Sequence, residues 1–172
     1  DQLVKWLEEA IALNSKNGPA WMLLGDLRAF RQSDLEKAID AWKVAEKQAP
    51  SAVSRVLADR ILRAQRDLLI ERGYEAVRSA HFTVKVQGGR ALDLNQMVQL
   101  LEEAYAQLAG ELGSGPETVT VIVYTEQALR RVAGQRDWMI GLYDGRMRLR
   151  GDELTASLLP DLVRHELAHA FL

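Results

Sequence analysis

The sequence contains no cysteine. That excludes a disulfide framework, a thiolate metal site and a cysteine nucleophile. It leaves the compartment open, because a secreted or periplasmic chain can do without disulfides. Charge of one sign is lacking too: 22 Lys and Arg against 24 Asp and Glu give a net −2, so no whole-chain field draws the protein to nucleic acid or to an anionic membrane. No apolar run approaches membrane-spanning length, and no signal peptide is visible. The first residue is Asp1 rather than Met; processing would have removed any targeting segment, so location stays undetermined. What is present, 48% hydrophobic and 27% charged residues, is the composition of an ordinary globular chain. A length of 172 residues accommodates one core of usual size, or a small helical module and a second compact domain.

Residues 1–50 read as all-helical. Leu3, Leu7, Ala10, Ile11 and Leu13 recur at helical spacing, and Asn14 to Pro19 supplies a break. A second helix is expected from about Pro19 to Arg31, with Trp21, Leu24, Leu27 and Ala29 apolar. Ser33 or Asp34 is the candidate N-cap of a third helix carrying Leu35, Ala38, Ile39, Trp42 and Ala45 and stopping before Pro50. From Val53 to about Arg78 the spacing predicts one long helix, in which Arg55, Arg60, Arg63, Arg66 and Arg72 interleave with Asp59, Asp67, Glu71 and Glu75 as a solvated face rather than a phosphate-binding stripe.

The pattern then changes. His81 to Val86 alternates as a strand and ends in the turn signal Gln87-Gly88-Gly89. Leu94 to Leu112 is an amphipathic helix closed near Gly113, and Val119 to Tyr124 is apolar enough for a central strand. A short helix, about Glu126 to Ala133, precedes strands Met139 to Tyr143 and Arg146 to Arg150, which flank the turn pair Asp144-Gly145. A helix starting near Leu154 or Asp161 ends the chain. The order β-α-β-α-β-β-α predicts an α+β domain behind the helical front end.

Two of only three histidines sit four apart with a glutamate between: His165-Glu166-Leu167-Ala168-His169. At 100° per residue an i, i+4 pair is offset by about 40°, so both imidazoles leave one helix face. Two ring nitrogens so placed can meet one Zn²⁺, and the intervening carboxylate can act as general base toward a water whose pKa the metal lowers. The candidate metal ligands are therefore His165 and His169, the candidate catalytic residue Glu166, and the cofactor Zn²⁺. The alternative is a helix whose histidines are satisfied by neighbours. The helical context, the scarcity of histidine and the apolar flanks Leu162, Val163, Ala170 and Phe171 weigh against it. Arg164 is expected to point outward or to pair with Asp161.

Two resemblances follow from these residues. Trp21, Leu24, Gly25, Ala38, Trp42, Ala45 and Pro50 resemble the tetratricopeptide repeat, with a loop about one residue longer than usual between Gly25 and Ala38 and Arg28 where the pattern has an aromatic. The likeness covers about one and a half repeats, residues 1–15 resembling the second helix of a preceding one. It implies a protein partner; an ordinary helical hairpin is the alternative. Residues 79–172 resemble the zinc peptidase domain found behind such repeats in bacterial proteins, a relative of the thermolysin-like gluzincins. The resemblance rests on His81-Phe82-Thr83-Val84, on Trp138 followed by Gly141-Leu142-Tyr143-Asp144-Gly145-Arg146, and on Arg164 to Ala170.

The resemblance implies His165 and His169 as zinc ligands, Glu166 as general base, and a peptide or protein substrate received along the sheet edge before the metal helix. The alternation of Arg146, Arg148 and Arg150 with Met147 and Leu149 also suits an edge strand, so Arg146, Met147, Arg148 and Leu149 are candidate substrate-binding residues. The alternative is an edge merely protected by arginines. The family also implies a third ligand, usually Glu, downstream of the motif. That position lies beyond Leu172, so the 172 residues alone are expected to be inactive. His81, the one other imidazole, is a candidate further ligand, but its place at a strand start favours a structural role. The expected fold class is thus α+β: a TPR-like helical segment (1–50), a connector helix (51–78), and a partial zinc-metallopeptidase-like domain (79–172), the N-terminal lobe of a gluzincin with a mixed sheet and the metal helix. The competing class is an interaction module in which the repeats do the work and the peptidase fold is degenerate or a scaffold. A nucleic-acid partner and a membrane segment are not expected, and cytoplasm and bacterial cell envelope both remain open.

Overall fold

The computed structural model describes residues 2–32, 34–87, 93–133, 140–152, 154–155 and 157–172. The chain divides into two compact units, Asp1–Ile70 and Glu71–Leu172. The expectations placed on Ser33, on Gly88-Gly89, and on Trp138 and Met139 fall outside the described residues.

The first unit holds four described helices, α1 (Gln2–Leu13), α2 (Gly18–Phe30), α3 (Leu35–Gln48) and α4 (Ser51–Ile70). Asn17 caps α2 by accepting a hydrogen bond from the Ala20 N–H at 3.1 Å, with Pro19 in the first turn, where a missing N–H costs nothing. Asp34 caps α3 in the same way through the Lys37 N–H, also at 3.1 Å. Helices α2 and α3 approach closely because Gly25 has no side chain. A Cβ there would lie 2.3 Å from Trp42 Cδ1, inside the indole, whose Nε1 donates to Asp26 Oδ1 at 2.9 Å. Leu57, Ile61 and Ala64 of α4 share a core with Ala38, Ile39, Trp42 and Ala45, while Arg55, Arg63 and Arg66 lie exposed.

Helix α4 falls within this first unit, and it stops at Ile70, not near Arg78. Gly73 takes φ +85°, where a right-handed helix cannot continue, and the Tyr74 N–H closes a turn on the Glu71 carbonyl at 3.0 Å. Residues Glu75–Arg78 then form a strand, β1, antiparallel to the next.

The second unit is built on β1, β2 (Phe82–Val86), β3 (Val119–Tyr124), β4 (Gly141–Tyr143) and β5 (Met147–Arg150), with helices α5 (Leu94–Leu112), α6 (Glu126–Ala133) and α7 (Leu159–Phe171). The order across the sheet is β1-β2-β3-β5-β4; β2, β3 and β5 run parallel, and the two outer strands antiparallel. Strand β3 is central, as its unbroken apolar run predicts, and every residue of it is buried. Phe82, Val84, Val86, Val119, Val121, Val123, Met147 and Leu149 line one face and pack with Met97, Leu101 and Leu108 of α5 and Leu159, Val163 and Leu167 of α7. The strand period of two sends Lys85, Tyr124, Arg146 and Arg148 to the opposite face. There Arg146 gives two hydrogen bonds to Glu71, at 2.8 and 2.7 Å, and Glu71 also accepts from Lys85 (3.1 Å) and the Tyr124 hydroxyl (2.8 Å).

Taken together, the described residues form a mixed α/β chain with seven helices and one five-stranded mixed sheet. No described helix is long and apolar enough to cross a membrane.

Candidate active site

Helix α7 starts where the Leu158 and Leu159 N–H groups bond to Thr155, with Pro160 in its first turn and Asp161 placed to favour the helix N-terminus. Val163 and Leu167, four apart, go into the core and fix the rotation of the helix. That rotation brings His165 and His169 out to the exposed side, their rings 5.1 Å apart and nearly perpendicular at 89°. Arg164, also exposed, pairs with Glu111 of α5 at 2.9 Å rather than with Asp161.

Glu166 behaves differently from its neighbours. It is buried, 6% exposed, at the border between the core side and the histidine side. Its carboxyl lies against the backbone of Gly141 in β4: a Cβ added to Gly141 would stand 2.7 Å from Glu166 Oε1 and 3.0 Å from Cδ. Burial raises the Glu166 carboxyl above its ordinary value, and the nearby His165 and His169 pull it partly back.

The donor chemistry fits zinc as far as it goes. Two imidazoles at helical spacing stand side by side and solvent-accessible, next to one buried carboxylate. Among the described residues no group of three or more His, Cys, Asp or Glu side chains forms a metal cluster. His81 has other work. Its backbone N–H donates to Glu102 Oε1 at 2.9 Å, its Nδ1 lies 2.7 Å from Glu102 Oε2, and its ring stacks on Tyr105 at 3.9 Å. Burial acts to raise the Glu102 carboxyl, but hydrogen bonds from His81 and Ser79 outweigh it, and the net shift is downward. This clamp ties the start of β2 to α5, the structural role read for His81 from its place at a strand start.

The expected substrate strand is not an edge. Strand β5 is paired on both sides, to β3 and to β4, so Met147, Arg148 and Leu149 cannot take an added strand, and Arg146, just ahead of the strand, is buried. The three strand residues are buried as well. Met147 and Leu149 are core, Arg146 is held by Glu71, and Arg148 bonds to Asp144 through Nε (3.0 Å) and to the Tyr124 hydroxyl through Nη1 (2.8 Å). Alternating arginine reads as a solvent face only when no anion waits for it, and here the anion comes from Glu71, 75 positions upstream.

The outer strand beside α7 is β4. The Arg150 N–H bonds to the Ile140 carbonyl at 2.8 Å and the Asp144 N–H to the Arg146 carbonyl. By the antiparallel alternation, residues 140, 142 and 144 face β5. The backbone N–H and C=O of Gly141 and Tyr143 therefore point away from it. The contact of Gly141 with Glu166 went unread in the sequence; the glycine itself stood inside the Gly141-to-Arg146 block, its one available signal. Comparison with protein-family models, with curated proteins and with solved structures finds no match to this chain.

Proposed function

We propose that the second unit is the metal-bearing lobe of a zinc-dependent peptide hydrolase of the gluzincin type, with Glu166 as its general base. One observation carries the reading: His165 and His169 stand together on the exposed side of α7, and the glutamate between them lies against an outer strand whose backbone groups face outward. His165 and His169 would hold the ion, with a third protein ligand from outside the described residues. When bound, zinc supplies Lewis acidity, which polarises a carbonyl and lowers the pKa of water.

The chain's own residues supply the rest. An extended peptide lies along β4, hydrogen-bonded to the backbone of Gly141 and Tyr143 as an added strand. This places its scissile bond beside the Glu166 carboxylate, which takes a proton from the attacking water and returns it to the leaving amine. Substrate docking thus shifts from β5, where the sequence pattern put it, to β4. The first unit is read as about one and a half tetratricopeptide-like repeats, supported by the close approach of α2 and α3 at Gly25 and Trp42.

The test is zinc content by elemental analysis, on the 172 residues and on a form continuing past Leu172, with labelled casein as substrate. The longer form is expected to hold about one zinc per chain, lost in His165→Ala and His169→Ala. Glu166→Gln is expected to keep the zinc and to lose roughly 100-fold or more in turnover. No zinc uptake by the longer form at neutral pH, with zinc supplied, would sink the hydrolase reading. A second reading would then stand, in which the helical unit binds a protein partner; it is favoured by the exposed Trp6, Leu23 and Phe30.

A further inference from the structure

We infer that Gly141 is a positioning residue for the general base: the space left by its missing side chain lets the Glu166 carboxylate reach the outer edge of the sheet. The inference rests on the hydrolase reading above and adds a specific requirement to it.

Gly141 needs no glycine for its backbone. It sits in a regular antiparallel strand opposite Leu149, and it is not among the glycines with positive φ, which are Gly73, Gly113 and Gly145. The constraint on a larger residue is space, set by the ends of two side chains. A Cβ at this position would meet Glu166 Oε1 at 2.7 Å, Leu162 Cδ1 at 2.9 Å and Glu166 Cδ at 3.0 Å, against about 3.5–4.0 Å for unstrained contact between carbon atoms. Two of the three contacts are with the carboxyl group itself. Leu162 and Glu166 are four apart on α7 and form a wall over the glycine.

A methyl group at Gly141 would act mainly through its softest neighbour. The backbone of β4 is held by β5, whereas the Glu166 carboxyl is the end of a flexible side chain with no hydrogen bond among the described residues. The carboxylate would therefore swing off the strand while the fold persists. Because the N–H and C=O of Gly141 point away from β5, this residue would pair directly with a peptide docked as an added strand. The same glycine thus brings base and substrate together, and losing its space would separate them. A misplacement of about 1 Å between reacting groups is enough to lower turnover on the order of 100-fold.

The experiment compares wild type, Gly141→Ala, Leu162→Ala and the double variant in the zinc-binding form, with three readouts. These are zinc content, kcat and KM on labelled casein, and the crystal structure of Gly141→Ala. Expected are unchanged zinc in all four, a fall in kcat of about 10- to 100-fold in Gly141→Ala with KM within about threefold, and a displaced Glu166 carboxylate. Leu162→Ala makes room on the other side of the methyl group, so the double variant folds even if the single one does not; its kcat is expected to stay low. Full kcat in Gly141→Ala, recovery of kcat in the double variant, or an unmoved carboxylate would each overturn the role of Gly141. A wild type that takes up no zinc and cleaves nothing would instead overturn the hydrolase reading itself.

Discussion

Glu71 is a carboxylate surrounded by donors. Both its oxygens are bound by the Arg146 guanidinium, Lys85 lies 3.1 Å from one and the Tyr124 hydroxyl 2.8 Å from the other, and the Glu71 and Arg146 side chains are each only 2% exposed. A buried pair of this kind contributes little compared with a well-packed apolar pair, but removing one partner strands the other charge. Glu71→Ala is therefore expected to destabilise the chain by about 3–5 kcal/mol, read from urea denaturation. Glu71→Met combined with Arg146→Leu removes both charges and is expected to cost less than Glu71→Ala alone. An equal or larger loss in the double variant would contradict this account of the pair. The interleaved charges of α4 and the residues after it read Glu71 and Asp67 as part of a solvated face, but both are buried: the partner that draws Glu71 inward comes from far along the chain and leaves no local sign.

Among the elements, those set by short-range periodicity were readable. Helix α3 is specified by Leu35, Ala38, Ile39, Trp42 and Ala45 on one face and by the Asp34 cap, and the structure has it from Leu35 to Gln48. Helix α5 and strand β3 were legible for the same reason, and so was α7, whose core residues fix the side on which His165 and His169 emerge. Strand β1 was missed because the apolar spacing of α4 continues past Ile70, and only Gly73 marks the break. The place of β5 inside the sheet was missed because its neighbours are decided by long-range pairing, not by its own alternation. At α2 and α3 two effects of opposite sign meet at Gly25. Alanine gains roughly 1 kcal/mol over glycine in a helix interior, but a Cβ 2.3 Å from the buried Trp42 ring overpacks the contact, at about 1–3 kcal/mol or more. Trp42 is pinned by its hydrogen bond to Asp26 and cannot yield cheaply. Gly25→Ala is thus expected to lower the midpoint of thermal unfolding, and a raised midpoint would show that the indole gives way.

For the molecule as a whole, acid is the revealing variable. Burial acts to raise the Glu71 carboxyl, and Arg146, Lys85 and Tyr124 outweigh it, so its pKa in the folded chain lies below the ordinary 4.5. Asp34 and Glu102 are also lowered, burial again being outweighed, by Lys37 in the first and by His81 and Ser79 in the second. For each of these groups the unfolded chain binds more protons in the window between the two pKa values, so stability rises with pH there. Their contribution is complete above about pH 4.5 and is lost as pH falls through the lower, folded value. Urea midpoints measured at successive pH values are expected to be flat near neutrality and to drop below about pH 4.5. In Glu71→Gln the drop is expected to be shallower; an unchanged slope would remove Glu71 from the set of groups responsible.

The 75 positions between Glu71 and Arg146 bear on time as well as on stability. Helices α1 to α4 form from contacts close in sequence, the kind that assemble early. The Glu71–Arg146 pair closes a long stretch of chain, and the entropy of that closure is lost before the contact is made. Strand β5 must already lie beside β3 for the guanidinium to be in place, so the pair is expected to form late in folding. Weakening the pair is then expected to speed unfolding and to leave the folding rate almost unchanged, a φ-value near zero in stopped-flow kinetics of Glu71→Gln. A value near one would mean that this long-range bridge is among the first contacts the chain makes.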